Sequence, residues 1–171
     1  MTDAKPAAEA AHTFDVIWEA ETRTTDRLRT ETRVRQASIG NHPEFTILTD
    51  EVGYPHGGDQ TAPAPLAYFA TALTTCLTTQ VRAFAKKLRI DIRGIRIKAR
   101  CHWRADAIGR EPYVGSPVSF HLDVDIDSDA GEADLRRLLE VAKKGCFFEQ
   151  TLNRPNEVTH RLKVGDGWVD A

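Results

Sequence analysis

The sequence is poor in sulfur, with three cysteines and one methionine among 171 residues. An odd number of thiols does not make a disulfide scaffold and leaves at least one of them unpaired. It has no Cys-x-x-Cys and no His-x-x-x-His spacing, which removes the common zinc frameworks. No apolar run approaches the roughly 18 residues of a membrane span, and the first dozen residues lack the apolar core of a secretory signal. Charge of one sign is missing too: the net charge is -2 and the pI is near 6.3. Nothing therefore draws the chain generally toward nucleic acid or an anionic membrane. Internal repeats and low-complexity linkers are absent. With 41% hydrophobic and 28% charged residues, the chain suits one compact domain. The expectation is a soluble cytoplasmic protein with a disordered segment at residues 1–12 and a single domain at 13–171, without nucleic-acid or membrane partners.

What is present reads as strands, one long helix, two more strands, a helical pair and a last strand. Residues 14–20 and 27–36 alternate like strands about a turn at 24–26, and a third strand is predicted at 44–49. Residues 52–65 form a loop by their glycine and proline content, with Pro63 or Pro65 suited to a first helical turn. The helix that follows, to about Leu88, carries Leu66, Phe69, Ala70, Leu73, Leu77, Val81, Phe84 and Leu88 at spacings of three and four, which define a buried stripe.

Ile95, Ile97, Ala99, Cys101 and Trp103 then alternate with Arg96, Lys98, Arg100, His102 and Arg104. Val118, Phe120, Leu122, Val124 and Ile126 alternate with Ser119, His121, Asp123, Asp125 and Asp127. As an antiparallel pair these strands set a basic row beside an acidic one, a mildly stabilising arrangement that explains the cations without nucleic acid. Cys101 belongs to the apolar row and reads as core. His102, its neighbour, points to the other face, so the two do not share a metal ion. Residues 132–144 make an amphipathic helix that Gly145 is expected to stop. A short helix starts at Cys146 or Phe147, and residues 157–164 read as a closing strand.

Two cysteines remain, each in an apolar helical stretch. Buried thiols are usually inert packing, whereas thiol chemistry needs a thiolate, favoured by a helix N-terminus or a nearby cation. By local sequence Cys146 has that advantage: it follows Gly145, opens a helix and lies close to Lys143 and Lys144. Cys76, in mid-helix, would need a cation brought from elsewhere in the fold. The residues alone leave both readings open.

The run Gly57-Gly58-Asp59-Gln60-Thr61-Ala62-Pro63-Ala64-Pro65-Leu66, followed by Ala72-Leu73-Thr74-Thr75-Cys76, resembles the first cysteine signature of the OsmC/Ohr family. Cys146 with Thr151-Leu152 resembles its second, and the order of elements agrees from about residue 14 to 165. The resemblance implies an α+β fold in which antiparallel strands wrap around long central helices in an intertwined homodimer. It implies a thiol peroxidase of organic hydroperoxides in oxidative stress defence. Cys76 would be the peroxidatic thiolate and Cys146 the resolving thiol, with an external dithiol as reductant and no metal, haem or flavin. The activating arginine would come from an N-terminal strand, where Arg29, Arg33 and Arg35 are candidates.

The chain departs from the family in two places. Hydroperoxide-resistance members carry a glutamate after the proline that leads the long helix, and the matching places here hold Leu66 and Ala67. The second motif usually continues Cys-Pro, whereas here it is Cys146-Phe147-Phe148. Glu149 reads as a solvent-facing helical residue rather than as a replacement carboxylate. Tyr68, Phe69, Phe147 and Phe148 read as core or as walls of an apolar pocket for bulky peroxides. The second expectation, of another class, is a noncatalytic family member that binds an apolar small molecule in the dimer cavity.

Overall fold

The computed structural model describes residues 12–38, 40–53 and 55–171. Residues 1–11 of the expected disordered segment lie outside the described residues. The fold is mixed α+β with antiparallel sheets, as expected. By its internal contacts the chain divides into two compact units, residues 1–65 and 66–171.

The first unit holds a three-stranded antiparallel sheet in the order β1 (Trp18–Asp26), β2 (Arg29–Gln36), β3 (Phe45–Thr49). Its register sets Glu19 opposite Arg35 and Arg23 opposite Glu31, and both pairs close as ion pairs, at 2.7 and 2.8 Å. Every residue of β1 is exposed. The loop after β3 is organised by Asp50, the one charged side chain that is buried among the described residues. Its carboxylate accepts hydrogen bonds from the Thr61 amide (3.0 Å) and hydroxyl (2.8 Å) and from the Glu51 amide (2.9 Å). Gly58 is required beside it, because a Cβ there would run into the Glu51 backbone.

The second unit is built on α1 (Pro65–Leu88), β4 (Gly94–Asp106), β5 (Val114–Asp127), α2 (Glu132–Gly145) and α3 (Phe147–Leu152), with a terminal hairpin of β6 (Arg161–Val164) and β7 (Gly167–Asp170). On α1 the buried residues are Leu73, Leu77, Val81 and Ala85, a narrower stripe than the predicted one, and Leu66 is exposed. Between them Thr71, Thr74, Thr75, Thr78 and Thr79 return their hydroxyls to carbonyls one turn back, which satisfies them within the helix. The β4–β5 register sets Arg96 opposite Asp125 and Lys98 opposite Asp123, with Arg96 Nη2 2.7 Å from Asp125 Oδ2. The core joins Leu77, Val81, Ala85 and Ile92 to Leu138, Ala142 and Cys146, with Ile97, Leu122 and Val124 packed against it.

Two local readings are corrected here. α2 extends one residue further than expected, to Gly145 itself, which is not in the left-handed conformation of a glycine cap. The glycine is needed because a Cβ there would stand 2.5 Å from the Phe84 ring. The closing strand begins at Arg161 rather than at 157 and turns at Gly165 (φ 59) into β7, a strand that hydrophobic alternation did not reveal. No helix among the described residues is long and apolar enough to cross a membrane.

Candidate functional site

The second unit brings Cys76 and Cys146 together. Cys76 stands in the middle of α1 between the buried Leu73 and Leu77, and is half-buried. Cys146 is the single non-helical residue between α2 and α3 (φ -77, ψ 103). Its amide donates to the Lys143 carbonyl (3.3 Å), and its carbonyl accepts from the Gln150 amide (2.9 Å). The kink between the two helices turns this side chain inward, where it is fully buried in the core. Both thiols are free and pack into the same core, with Cys76 close enough to act on the ionisation of Cys146.

The electrostatics of the pair overturn the local reading of Cys146 as the more readily ionised thiol. Burial pushes its pKa up to about 11. The Glu149 amide faces the sulfur and pulls the other way, without closing a regular cap hydrogen bond. The neighbouring Cys76 and the negative charge of Glu149 raise it further. Desolvation wins because a helix terminus contributes only about 0.3 to 1 kcal/mol. Cys101, half-buried in β4 opposite Phe120, is raised by burial alone.

A cavity of about 350 Å³, whose lining includes neither cysteine, is bounded by Leu73 and Leu77 of α1, Phe120 and Leu122 of β5, and Lys143 and Glu149 at its polar side. Phe69 packs edge-on against Trp103 (5.0 Å between ring centroids) and Phe148 (5.1 Å), with Phe120 at 5.5 Å. Of the anticipated aromatics, Phe69 and Phe148 join this cluster while Phe147 is exposed. Trp103 and Phe120 were not anticipated at the site. Their signal was their place on the apolar rows of the hairpin, which carries no mark of which helix the rows face.

Glu149 differs from its expected solvent-facing place. It is half-buried on the cavity wall, and burial raises its pKa, with Lys143 opposing and Glu140 adding to the rise. Lys143 itself is paired to Glu140 at 3.1 Å.

The three candidate arginines, all in the first unit, are not equivalent. Arg35 is held by Glu19, with Nε and Nη2 at 3.0 and 2.7 Å, and Arg33 stands 4.0 Å from Glu44. Arg29 is the partly buried one, and its Nε is enclosed with no hydrogen-bond partner among the described residues. Its charge acts on Asp50, whose pKa is lowered chiefly by the Thr61 hydrogen bonds. Asp50 is a carboxylate that motif reading missed, because nothing in a strand-end aspartate marks it as buried. Among the described residues no group of three or more His, Cys, Asp or Glu is placed to hold a metal ion.

A family model described as OsmC-like protein matches residues 57–161. No curated protein matches the chain. Among solved structures, an OsmC-like hydroperoxide resistance protein from Jannaschia sp. is 36% identical, over 91% of this chain and 98% of its own, with a TM-score of 0.62. An organic hydroperoxide resistance protein from Legionella pneumophila shares the fold at 14% identity and a TM-score of 0.54, over 83% of this chain and 91% of its own. An OsmC-like protein from Mycoplasma pneumoniae does so at 16% identity and a TM-score of 0.56, over 81% and 87%.

Proposed function

The chain belongs to the OsmC-like family, and from that premise we propose that it is a thiol-dependent peroxidase that reduces organic hydroperoxides in peroxide stress defence. The observation that carries the reading is that Cys76 and Cys146, 70 positions apart in sequence, pack into one otherwise apolar core. The similar Jannaschia protein is a hydroperoxide resistance protein, which supports the substrate class.

The roles follow from the asymmetry of the pair. A thiol that is fully buried and held protonated is a poor first nucleophile, so Cys76 attacks. Its thiolate takes the outer peroxide oxygen, the O–O bond breaks, and the departing alkoxide gains a proton and leaves as an alcohol. Cys76 becomes a sulfenic acid, Cys146 displaces its oxygen as water to form a disulfide, and an external dithiol restores both thiols. The apolar wall of the cavity suits a bulky organic group. Of the three arginines Arg29 is the least committed within its own unit, because its Nε has no hydrogen-bond partner among the described residues whereas Arg35 is held by Glu19.

Consumption of cumene hydroperoxide with a dithiol tests the reading. Wild-type protein turns over, Cys76→Ser does not, and Cys146→Ser completes the first step but accumulates sulfenic acid. Full turnover in Cys76→Ser would remove the proposal. A noncatalytic binder of an apolar molecule is the second reading, favoured by the absence of a carboxylate at Leu66 and Ala67. It predicts ligand binding with no peroxide consumption.

We read residues 13–171 as one domain of the family, since the matched region crosses the boundary between the two units. Exposed Phe14, Ile17, Trp18 and Phe45 support a homodimer in which a second copy covers them. Sedimentation as a 19.1 kDa species at every concentration would exclude it. Free paired thiols suit a reducing compartment, which supports a cytoplasmic setting.

A further inference from the structure

The cavity of the second unit is apolar over most of its wall and charged at one side. Leu73 and Leu77 come from α1, Phe120 and Leu122 from β5, Leu139 from α2 and Leu152 from α3. The polar side lies where α2 meets α3 and is formed by Lys143, Glu149 and Asn153. A volume of about 350 Å³ has room for about a dozen heavy atoms, at the roughly 30 Å³ that one water molecule takes in the liquid. A space of this size, walled mainly by apolar side chains with a few polar groups at one side, has the make-up of a small-molecule site.

The charges at that side do not cancel. Lys143 is committed to Glu140, with Nζ 3.1 Å from Oε1, so those two together are neutral. Glu149 comes from the next helix and lies half-buried on the wall. Among the described residues no ion pair and no hydrogen bond engages its carboxylate. One negative charge is therefore left over at the end of an apolar cavity, where the surrounding side chains solvate it poorly. A cation that brings its own hydrogen-bond donors is the natural complement of such a group. An anionic ligand end would instead meet two carboxylates and a lysine that is already paired.

We propose that this cavity binds a small amphiphile whose apolar chain lies against Leu73, Leu77 and Leu139 and whose ammonium end pairs with the Glu149 carboxylate. The volume suits a primary amine with a chain of roughly eight to ten carbons. Neither cysteine lines the cavity, so the amphiphile is held without touching a sulfur. Its binding does not rest on the peroxidase reading. On that reading the organic group of the peroxide enters the same cavity, and the amphiphile competes with it.

The test is calorimetric titration of the reduced, peroxide-free protein with n-octylamine, n-octanol and n-octanoate at about pH 7.5, where the amine is protonated as a lysine is. Octylamine should bind about tenfold or more tightly than octanol, and octanoate should be the weakest of the three. Glu149→Gln should weaken octylamine by about tenfold or more and leave octanol within about threefold, since only the amine loses a charge-assisted hydrogen bond. Leu152→Trp places an indole at the partly exposed rim of the cavity and should weaken octylamine and octanol together. No binding of octylamine, equal affinity for octylamine and octanoate, or octylamine binding that survives either substitution would overturn the site. In wild type, octylamine should raise the KM for cumene hydroperoxide and leave kcat unchanged, and an unchanged KM would overturn the competition. If wild type consumes no hydroperoxide, the peroxidase reading falls while the titrations still decide the binding site.

Discussion

The two units of the chain are held by different forces. Among the described residues all eight buried hydrophobic side chains lie in the second unit, from Leu73 to Cys146, whereas the one buried charged residue, Asp50, lies in the first. Residues 66–171 close around aliphatic side chains of α1 and α2, so burial of apolar surface dominates there. Residues 12–65 rely on strand ladders, cross-strand ion pairs and the Asp50–Thr61 clamp, while Trp18, Phe45 and Leu48 stay exposed. Apolar residues alternating along a strand create one apolar face, and nothing in that pattern says what will cover it.

The contrast can be broken most strongly in the core. Leu138→Ala removes a fully buried side chain and should cost about 2 to 5 kcal/mol in denaturant unfolding. A cost below about 1 kcal/mol would mean that the second unit is not held by this core. Gly145→Ala drives a Cβ into the Phe84 ring and should cost about 1 to 3 kcal/mol. If glycine were there only to end the helix, the same change would be neutral or better.

A smaller effect is expected in the first unit, and it should carry a pH signature. The lowered pKa of Asp50 means that the folded state favours its carboxylate. That contribution is fully present above the ordinary aspartate value near 3.8 and is lost as pH falls through the lowered folded value. Asp50→Asn should lower the Tm at neutral pH and flatten its decline in acid. An unchanged acid limb would show that Asp50 does not clamp the loop. The smallest effect belongs to the exposed Arg96–Asp125 pair, where Asp125→Lys should cost less than about 1 kcal/mol and less still at high salt. A cost as large as that of Leu138→Ala would show that the charge rows contribute as much as the core.

Element types were legible wherever the period was long and clean. The alternating rows of β4 and β5 announced both strands and that the basic row lies beside the acidic one, while the residue-by-residue register came from the fold. Strand β7 was not legible, since four residues around Trp168 are too few to show a period. Both site cysteines could be named from sequence and family motif, but their environments could not. Cys146 looked activated from its helix start and nearby lysines, yet its burial in the fold outweighs both. Glu149 looked like a surface residue because its neighbours on α3 do not show that α1, α2 and β5 enclose that side of the helix.

Chain order was enough to show the long cysteine-bearing helix, the paired strands and the two thiols, because each depends on residues close together in sequence, and the family resemblance added the α+β class. Tertiary packing alone set the two thiols in one core, held Cys146 protonated, drew Glu149 to the cavity wall and distinguished Arg29 from Arg33 and Arg35. Ionisation and burial are set by solvent exclusion and by charges on other elements, and a linear pattern carries no record of those distances.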